Sequence, residues 1–127
     1  MKITIYHNPE CGTSCNALAA IRSAGHDPQI IEYLRTPLRR EAIKALIDQA
    51  GMTARKAARK KEPLYHQLHL DENTVTEGEL LGAMAEHPVL LNRPIVVIEN
   101  GDTTIARLCR PSALVKEMLE LAGQPHA

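Results

Sequence analysis

The residues best suited to chemistry lie in HNPECGTSCNAL, residues 7–18, directly behind the first apolar segment of the chain. Cys11 falls where a strand should give way to a helix. A helix N-terminus presents free N–H groups and a partial positive charge, which lower the pKa of a thiol and hold an anion. The neighbouring polar residues could donate hydrogen bonds to a bound anion, and glycine lets the backbone approach it closely. These residues are His7, Asn8, Gly12, Thr13 and Ser14. The pattern predicts a thiolate nucleophile beside an oxyanion site; the alternative is a small buried apolar cysteine.

Three arginines give a second indication of an oxyanion site. Arg93 lies in LLNRPIVV, Arg110 lies in RLCRPS, and Arg59 lies in the basic segment RKAARKK. Arginine presents a fixed fork of donors that matches oxyanions. Each arginine alone has a simpler explanation, since surface arginines are common and the charged segment 55–61 is typical of a solvated helix face.

A zinc site is disfavoured. Cys11, Cys15 and Cys109 could combine with His7, but the C-x3-C spacing has no downstream pair with ligand spacing. His66 and His69 are interpreted as solvated histidines, because nothing around them in the sequence indicates a site. An odd number of cysteines also argues against a disulfide framework and fits a reducing compartment.

Composition excludes several classes of protein. The chain has 127 residues and a net charge of zero, which fits one domain and argues against nucleic acid as the main partner. Three Tyr, with no Phe or Trp, provide no base-stacking surface and leave a core of Leu, Ile, Val and Ala. No segment is long and apolar enough to span a membrane, and MKITIYHN is too short and too polar for a secretory signal. We therefore expect a cytoplasmic protein.

The periodicity predicts an α/β fold with the order β-α-β, a helical middle, then β-β-α. Strands are predicted at 2–6, 28–34, 94–99 and 103–108, and helices at 12–24, 38–50, 53–60, 77–86 and 113–121. The first two strands should be parallel with a right-handed crossover. Thr53, Thr76 with Glu79, and Ser112 are predicted caps, and Asn100-Gly101 predicts a hairpin. We interpret residues 1–127 as one domain with a helical insertion at about 38–90; the alternative is a separate helical subdomain.

Three separated motifs, YHNPECGTS, LLNRPIVV and RLCRPS, resemble the signatures of the glutaredoxin-coupled arsenate reductases, the ArsC family. RKKEP agrees as well, and the resemblance covers roughly residues 2–121. It implies a thioredoxin-like fold with a helical insertion and a cis peptide bond before Pro94.

The resemblance also implies a chemistry. The Cys11 thiolate would attack arsenate, glutathione would react with the adduct, and glutaredoxin would resolve the mixed disulfide as arsenite is released. Arg59, Arg93 and Arg110 match the arginines that bind the oxyanion, and His7 and Asn8 match the nucleophile loop. No metal or bound organic cofactor is implied, glutathione acts as a co-substrate, and we expect a monomer.

The chain departs from the family motif at one position. Arginine usually follows Cys-Gly-Thr-Ser in the motif, whereas this chain has Cys15. The change places a second thiol four residues after Cys11, on the same helix face. Cys15 is either a resolving thiol that forms a disulfide with Cys11, or a residue that fills a small gap beside Leu18 and Ala19. Cys109 is interpreted as structural.

Two other functions stay open. One is a related thiol-dependent reductase with a different substrate. The other is a redox-sensing regulator of the Spx type, which binds RNA polymerase and uses a C-x2-C pair rather than C-x3-C. The presence of Arg59, Arg93 and Arg110 together favours arsenate reduction over both.

Overall fold

The computed structural model describes residues 1–123 and divides into two compact units. Unit 1 comprises residues 1–32 together with the segment that begins at Arg93, and unit 2 comprises Tyr33–Asn92. Unit 1 holds the strands β1 (Lys2–Tyr6), β2 (Gln29–Ile31), β3 (Ile95–Asn100) and β4 (Thr103–Leu108), and the helices α1 (Gly12–Ser23) and α6 (Leu114–Gly123). Unit 2 holds α2 (Arg40–Gln49), α3 (Ala54–Ala57), α4 (Pro63–Gln67), α5 (Glu77–Glu86) and a 3₁₀ turn (Pro88–Leu90).

The four strands form one mixed sheet in the order β2-β1-β3-β4. β1 pairs with β2 in parallel and with β3 antiparallel, and β3 pairs with β4 antiparallel. The predicted β-α-β and β-β-α segments and the parallel first pair are therefore confirmed. The predicted strand 28–34 is too long, because the backbone turns after Ile31 and the buried Tyr33 donates its hydroxyl to the Leu91 carbonyl within unit 2.

The core of unit 1 is aliphatic, as the composition predicts. α1 ends at Ser23, and Gly25 follows with a φ of +88°, which only glycine adopts readily. α6 packs against β3, β4 and α1. The buried cluster comprises Ile3, Ile5, Ala17, Ile21, Val96, Ile98, Cys109, Val115, Met118 and Ala122. Burial of this cluster fixes α1 on the sheet and thereby the position of its N-terminus.

The β3–β4 hairpin turns at the predicted Asn-Gly dipeptide. Gly101 has a φ of +61°, and Asn100 Nδ2 donates to the Ala122 carbonyl at 2.6 Å. The side chain at the turn therefore also ties the hairpin to α6.

Unit 2 is organised by the helix caps that the sequence predicts. Thr53 Oγ1 accepts from the Lys56 N–H at 3.2 Å. Thr76 and Glu79 form a reciprocal capping box at 3.1 and 3.2 Å. Glu77 Oε1 accepts from the Ala54 N–H at 2.6 Å and joins α5 to the start of α3. α2 and α3 both pack on α5.

The basic segment is less helical than predicted. Helix α3 ends at Ala57 rather than at residue 60, because Ala58 forms an antiparallel bridge with Leu91 instead of continuing the helix. Arg55 also differs from a solvated arginine. Its guanidinium donates to the Tyr65 hydroxyl at 3.1 Å and to three backbone carbonyls of the following loop: Leu70, Glu72 and Val75.

Helix α4 was not predicted from the sequence. Within residues 1–123, every helix is too short or too polar to cross a lipid bilayer.

Candidate active site

Cys11 lies at the junction between β1 and α1, as the sequence predicts. It is the N-cap residue of α1, with extended backbone angles of φ −96° and ψ 119°. Its N–H donates to the Asn8 carbonyl at 3.0 Å, and its carbonyl accepts from the Cys15 N–H at 2.9 Å. The half-exposed sulfur is therefore held at the positive end of a twelve-residue helix.

Arg93 and Arg110 converge on this sulfur. Arg110 Nη1 lies 3.6 Å from the Cys11 sulfur and donates to the Arg93 carbonyl at 3.0 Å. The strand register explains the convergence, because Ile95 pairs with Leu108, and each arginine lies two residues beyond this pair. Arg93 is buried, with only 8% of its surface exposed, so its charge acts on the site with little solvent screening.

Both arginines precede a cis proline. The cis bond before Pro94 is confirmed, and a second cis bond lies before Pro111. The second one was missed, although the Arg-Pro dipeptide occurs at both positions in the sequence. The Cys109 N–H donates to the Pro94 carbonyl at 2.8 Å, so the two Arg-Pro segments are joined by a backbone hydrogen bond.

The electrostatic surroundings favour the thiolate of Cys11. Burial by itself raises the pKa of this thiol, but the Ser14 N–H and the guanidinium groups of Arg93 and Arg110 oppose it. The net effect is a pKa below the ordinary value of 9.0. A lowered pKa increases the fraction of nucleophilic thiolate at neutral pH.

Ser14 has a different role from the one predicted. We expected its hydroxyl to donate to a bound anion, but Ser14 is fully buried and its Oγ accepts from the Asn8 N–H at 3.1 Å. The same oxygen lies 2.6 Å from His7 Nδ1. The Ser14 hydroxyl is therefore engaged within the protein, and it is the backbone N–H of Ser14 that acts on the Cys11 sulfur.

His7 and Asn8 shape the loop that carries the nucleophile. Both are buried, and Asn8 Oδ1 accepts from the Glu10 N–H at 3.0 Å. Burial lowers the pKa of His7, Glu32 opposes this change, and Arg22 adds to it. His7 is therefore neutral at pH 7, and its contact with Ser14 is a hydrogen bond between uncharged groups.

Gly12 and Thr13 form the open side of the first turn of α1. Gly12 is exposed, and a Cβ built on it would meet no atom within 4 Å. Thr13 is half-exposed. Packing within the protein therefore does not require glycine here, and the space where a Cβ of Gly12 would lie is open.

The other two cysteines lie in opposite environments. Cys15 is exposed, and its thiol donates to the Pro9 carbonyl at 3.2 Å. The gap-filling interpretation is therefore wrong, because an exposed side chain fills no gap. Cys109 is fully buried, with its sulfur 3.4 Å from the sulfur of Met118, and burial raises its pKa to about 12. Such a thiol stays protonated, as its structural interpretation requires.

Arg59 belongs to unit 2, whereas Arg93 and Arg110 belong to unit 1. It is half-buried, and its backbone N–H donates to the Leu90 carbonyl at 2.7 Å. The adjacent bridge pairs Ala58 with Leu91, two residues before Arg93 in the chain. No hydrogen bond joins the Arg59 guanidinium to another residue of the range 1–123, in contrast to Arg55.

Within the described residues, no three His, Cys, Asp or Glu side chains are grouped in a way that could hold a metal ion. The exposed His66 and His69 lie 3.5 Å from Asp71 and 3.9 Å from Glu72, respectively. Their interpretation as solvated histidines is confirmed.

Comparison with known proteins shows which family the chain resembles. The model of the ArsC family matches residues 6–118. The arsenate reductase of Rhizobium meliloti (strain 1021) is 49% identical over 119 residues, covering 94% of this chain and 82% of the relative. That of Escherichia coli (strain K12) is 48% identical over 117 residues, covering 92% and 80%.

A solved structure of arsenate reductase from Vibrio cholerae is also similar, with a TM-score of 0.84 and 42% identity over 92% of this chain and 97% of the other. A putative arsenate reductase from Yersinia pestis gives a TM-score of 0.82 at 43% identity, covering 91% of this chain and 99% of the other. The mixed sheet and its helices thus have the predicted thioredoxin-like α/β fold. By sequence and by structure, the chain belongs to the ArsC family.

Proposed function

We propose that this protein is an arsenate reductase in which the Cys11 thiolate attacks arsenate. The observation that carries the proposal is the position of the Cys11 sulfur at a helix N-terminus, 3.6 Å from Arg110 and with a lowered pKa. Membership of the ArsC family and relatives named arsenate reductase support arsenate as the substrate.

The charge of the site suits this substrate. Arsenate, like a phosphate group, carries about one to two negative charges near neutral pH. A thiolate can approach such an anion only where positive charge offsets both partners. The guanidinium groups of Arg93 and Arg110 and the free N–H groups of α1 provide that charge in a fixed arrangement, so little reorganisation is needed as the thiolate attacks.

Arsenate reduction proceeds in two chemical stages. Sulfur of Cys11 bonds to As(V), and one arsenate oxygen leaves as water after taking up protons. A second thiol then attacks the Cys11 sulfur, the S–As bond breaks, and its electron pair stays on arsenic, which leaves as arsenite. In the glutathione-dependent form of the reaction this second thiol is glutathione, and glutaredoxin reduces the resulting mixed disulfide.

Each arginine has a part in the proposal. Arg110 and Arg93 stabilise the thiolate and bind the oxyanion, because both already act on the Cys11 sulfur. Arg59 contributes a further guanidinium to the oxyanion, a role supported by its matching position in the family motif. No bound cofactor takes part. The reaction needs a supply of reduced glutathione, so we propose that the protein acts in the cytoplasm. We further propose that it acts as a monomer.

The proposal is tested by arsenate-dependent oxidation of NADPH in the presence of glutathione, glutaredoxin and glutathione reductase. We expect activity from the wild type and none from Cys11→Ser. Cys109→Ala is the matched control, because it removes a thiol that is buried away from the solvent. Omission of glutaredoxin tests the coupling separately from the arsenate chemistry.

Inactivity of the folded, reduced wild type with every thiol source would refute arsenate reduction. That result would favour a thiol-dependent reductase of another substrate or a redox-sensing regulator. Repeated turnover that does not depend on glutaredoxin would leave arsenate as the substrate but refute the assigned reductant.

A further inference from the structure

The first turn of α1 carries two thiols, and the proposed function uses only one. The Cys15 N–H donates to the Cys11 carbonyl at 2.9 Å, so the two residues are one regular helical turn apart. Helix geometry sets their Cα atoms about 6 Å apart, within the range of about 4.4–6.8 Å over which disulfides form. A bond between them is therefore compatible with the Cα spacing and requires a local change in this turn.

The surroundings of Cys15 keep its thiol accessible. It is exposed, and its thiol donates to the Pro9 carbonyl at 3.2 Å. Pro9 belongs to the loop that carries Cys11, and helical side chains lean toward the helix N-terminus. The hydrogen bond therefore holds the Cys15 sulfur toward the N-terminal end of α1, where the nucleophile loop lies.

The residue directly after Cys11 is not held by side-chain packing. Gly12 follows Cys11 in the chain, it is exposed, and a Cβ built on it would meet no packed atom within 4 Å. Glycine adopts a wider range of backbone angles than other residues. A change in the backbone angles of Gly12 therefore meets no packing resistance at that position.

We propose that Cys15 is the resolving thiol of the reaction, which attacks the arsenylated sulfur of Cys11 and forms a Cys11–Cys15 disulfide as arsenite leaves. This inference rests on the proposed function. The new S–S bond replaces the S–As bond, whose electron pair remains on arsenic, so As(V) becomes As(III) while two thiols are oxidised to one disulfide. The Cys15 proton passes to an oxygen of the departing arsenite.

With Cys15 as the resolving thiol, the external reductant enters after arsenite has left. Glutathione or a glutaredoxin dithiol then reduces the Cys11–Cys15 disulfide instead of attacking the arsenic adduct. Cys109 is unsuited to the same role, because it is fully buried and hydrogen-bonded toward Met118 and the Arg107 carbonyl.

The test is a single turnover without any external thiol. Wild-type protein is reduced, freed of reductant under anaerobic conditions and mixed with excess arsenate. Arsenite, thiols of the unfolded product and intact mass are then measured. We expect about one arsenite per chain, loss of two thiols, a mass lower by about 2 Da and a Cys11–Cys15 linked peptide.

Two variants make the test specific. Cys15→Ser should release less than about one tenth of the wild-type arsenite and should accumulate the Cys11 adduct, which added glutathione then discharges. Cys109→Ala should release as much arsenite as the wild type, because the resolving pair is intact.

The possible failures are distinguishable. A wild type that releases arsenite only after glutathione is added would overturn the role of Cys15 and leave the proposed function standing. Equal yields from wild type and Cys15→Ser, or a disulfide between two chains on a non-reducing gel, would also overturn it. No arsenite with or without glutathione would overturn the proposed function and the inference together.

Discussion

The hydroxyl of Ser14 offers the sharpest test of how the nucleophile loop is held. Ser14→Ala removes one oxygen that contacts His7 Nδ1 at 2.6 Å and the Asn8 N–H at 3.1 Å. Ser14, His7 and Asn8 are all buried, so water cannot readily replace the lost contacts. A buried polar group left without a partner costs about 1–3 kcal/mol. Two such groups, with partial relaxation of the loop, give an expected loss of about 2–4 kcal/mol in the free energy of unfolding.

The assay is urea denaturation followed by far-UV circular dichroism, since the chain has no Trp. Thr13→Ala is the matched control, because it removes the adjacent hydroxyl from a half-exposed side chain. We expect it to change the free energy of unfolding by less than about 0.5 kcal/mol. A second measurement is the rate of Cys11 alkylation by iodoacetamide in a Cys15→Ser background, which should fall with Ser14→Ala as the Ser14 N–H loses its alignment.

Equal urea midpoints for Ser14→Ala and Thr13→Ala would refute the reasoning. They would mean that His7 and Asn8 find other partners at no cost. A loss of stability with an unchanged rate of Cys11 alkylation would mean that the Ser14 hydroxyl stabilises the fold but does not align the Ser14 N–H with the sulfur.

Three further predictions follow from the charges and burial of the site. Arg110→Gln removes a positive charge 3.6 Å from the Cys11 sulfur; at a water-like dielectric the charge contributes about 1 kcal/mol, so alkylation of Cys11 near neutral pH should slow by about fivefold. Arg107→Gln, on the exposed side of β4, should leave that rate unchanged, and equal rates for the two variants would contradict the prediction. Cys109, whose pKa is about 12, should resist iodoacetamide in the folded protein and react only in urea. Labelling of Cys109 as fast as that of Cys11 would contradict the conclusion that Cys109 is buried. Burial lowers the pKa of His7, so the imidazole binds a proton more tightly in the unfolded chain than in the folded one. The contribution of His7 to the free energy of unfolding should therefore be complete above about pH 6.5 and be lost as the pH falls through the lowered pKa. His7→Asn should flatten that part of the urea-midpoint profile against pH, and an identical profile would refute the assignment.

The local elements of this protein could be predicted from short stretches of sequence. The capping box of Thr76 and Glu79 and the Asn100-Gly101 turn were both predicted and both confirmed. Each depends on hydrogen bonds or backbone angles within four residues, which the chain specifies whatever lies around it. The location of Cys11 at the start of α1 follows from the same local signals.

Elements that end through distant contacts were predicted less well. β2 is three residues long because the Tyr33 hydroxyl donates a hydrogen bond to the carbonyl of Leu91, which lies 58 residues away in the sequence. Helix α3 is short because Ala58 pairs with Leu91. The partner is Leu91 in both cases, and no local sequence pattern reveals it. Local propensity therefore predicted a strand and a helix that are longer than the observed ones.

The tertiary structure also decided which chemistry-bearing residues meet. Residue types and motif order indicated arginines for the oxyanion, but the β3–β4 register is what brings Arg110 to the sulfur and to the Arg93 carbonyl. Differences in burial separate the hydroxyl of Ser14 from the thiol of Cys15. Ser14 is buried and faces His7, whereas Cys15 is exposed to solvent. The sequence by itself determined a thiol at a helix N-terminus, because that depends on neighbouring residues. Only the folded chain decided which charges act on that thiol, because strand register and burial depend on residues far apart in sequence.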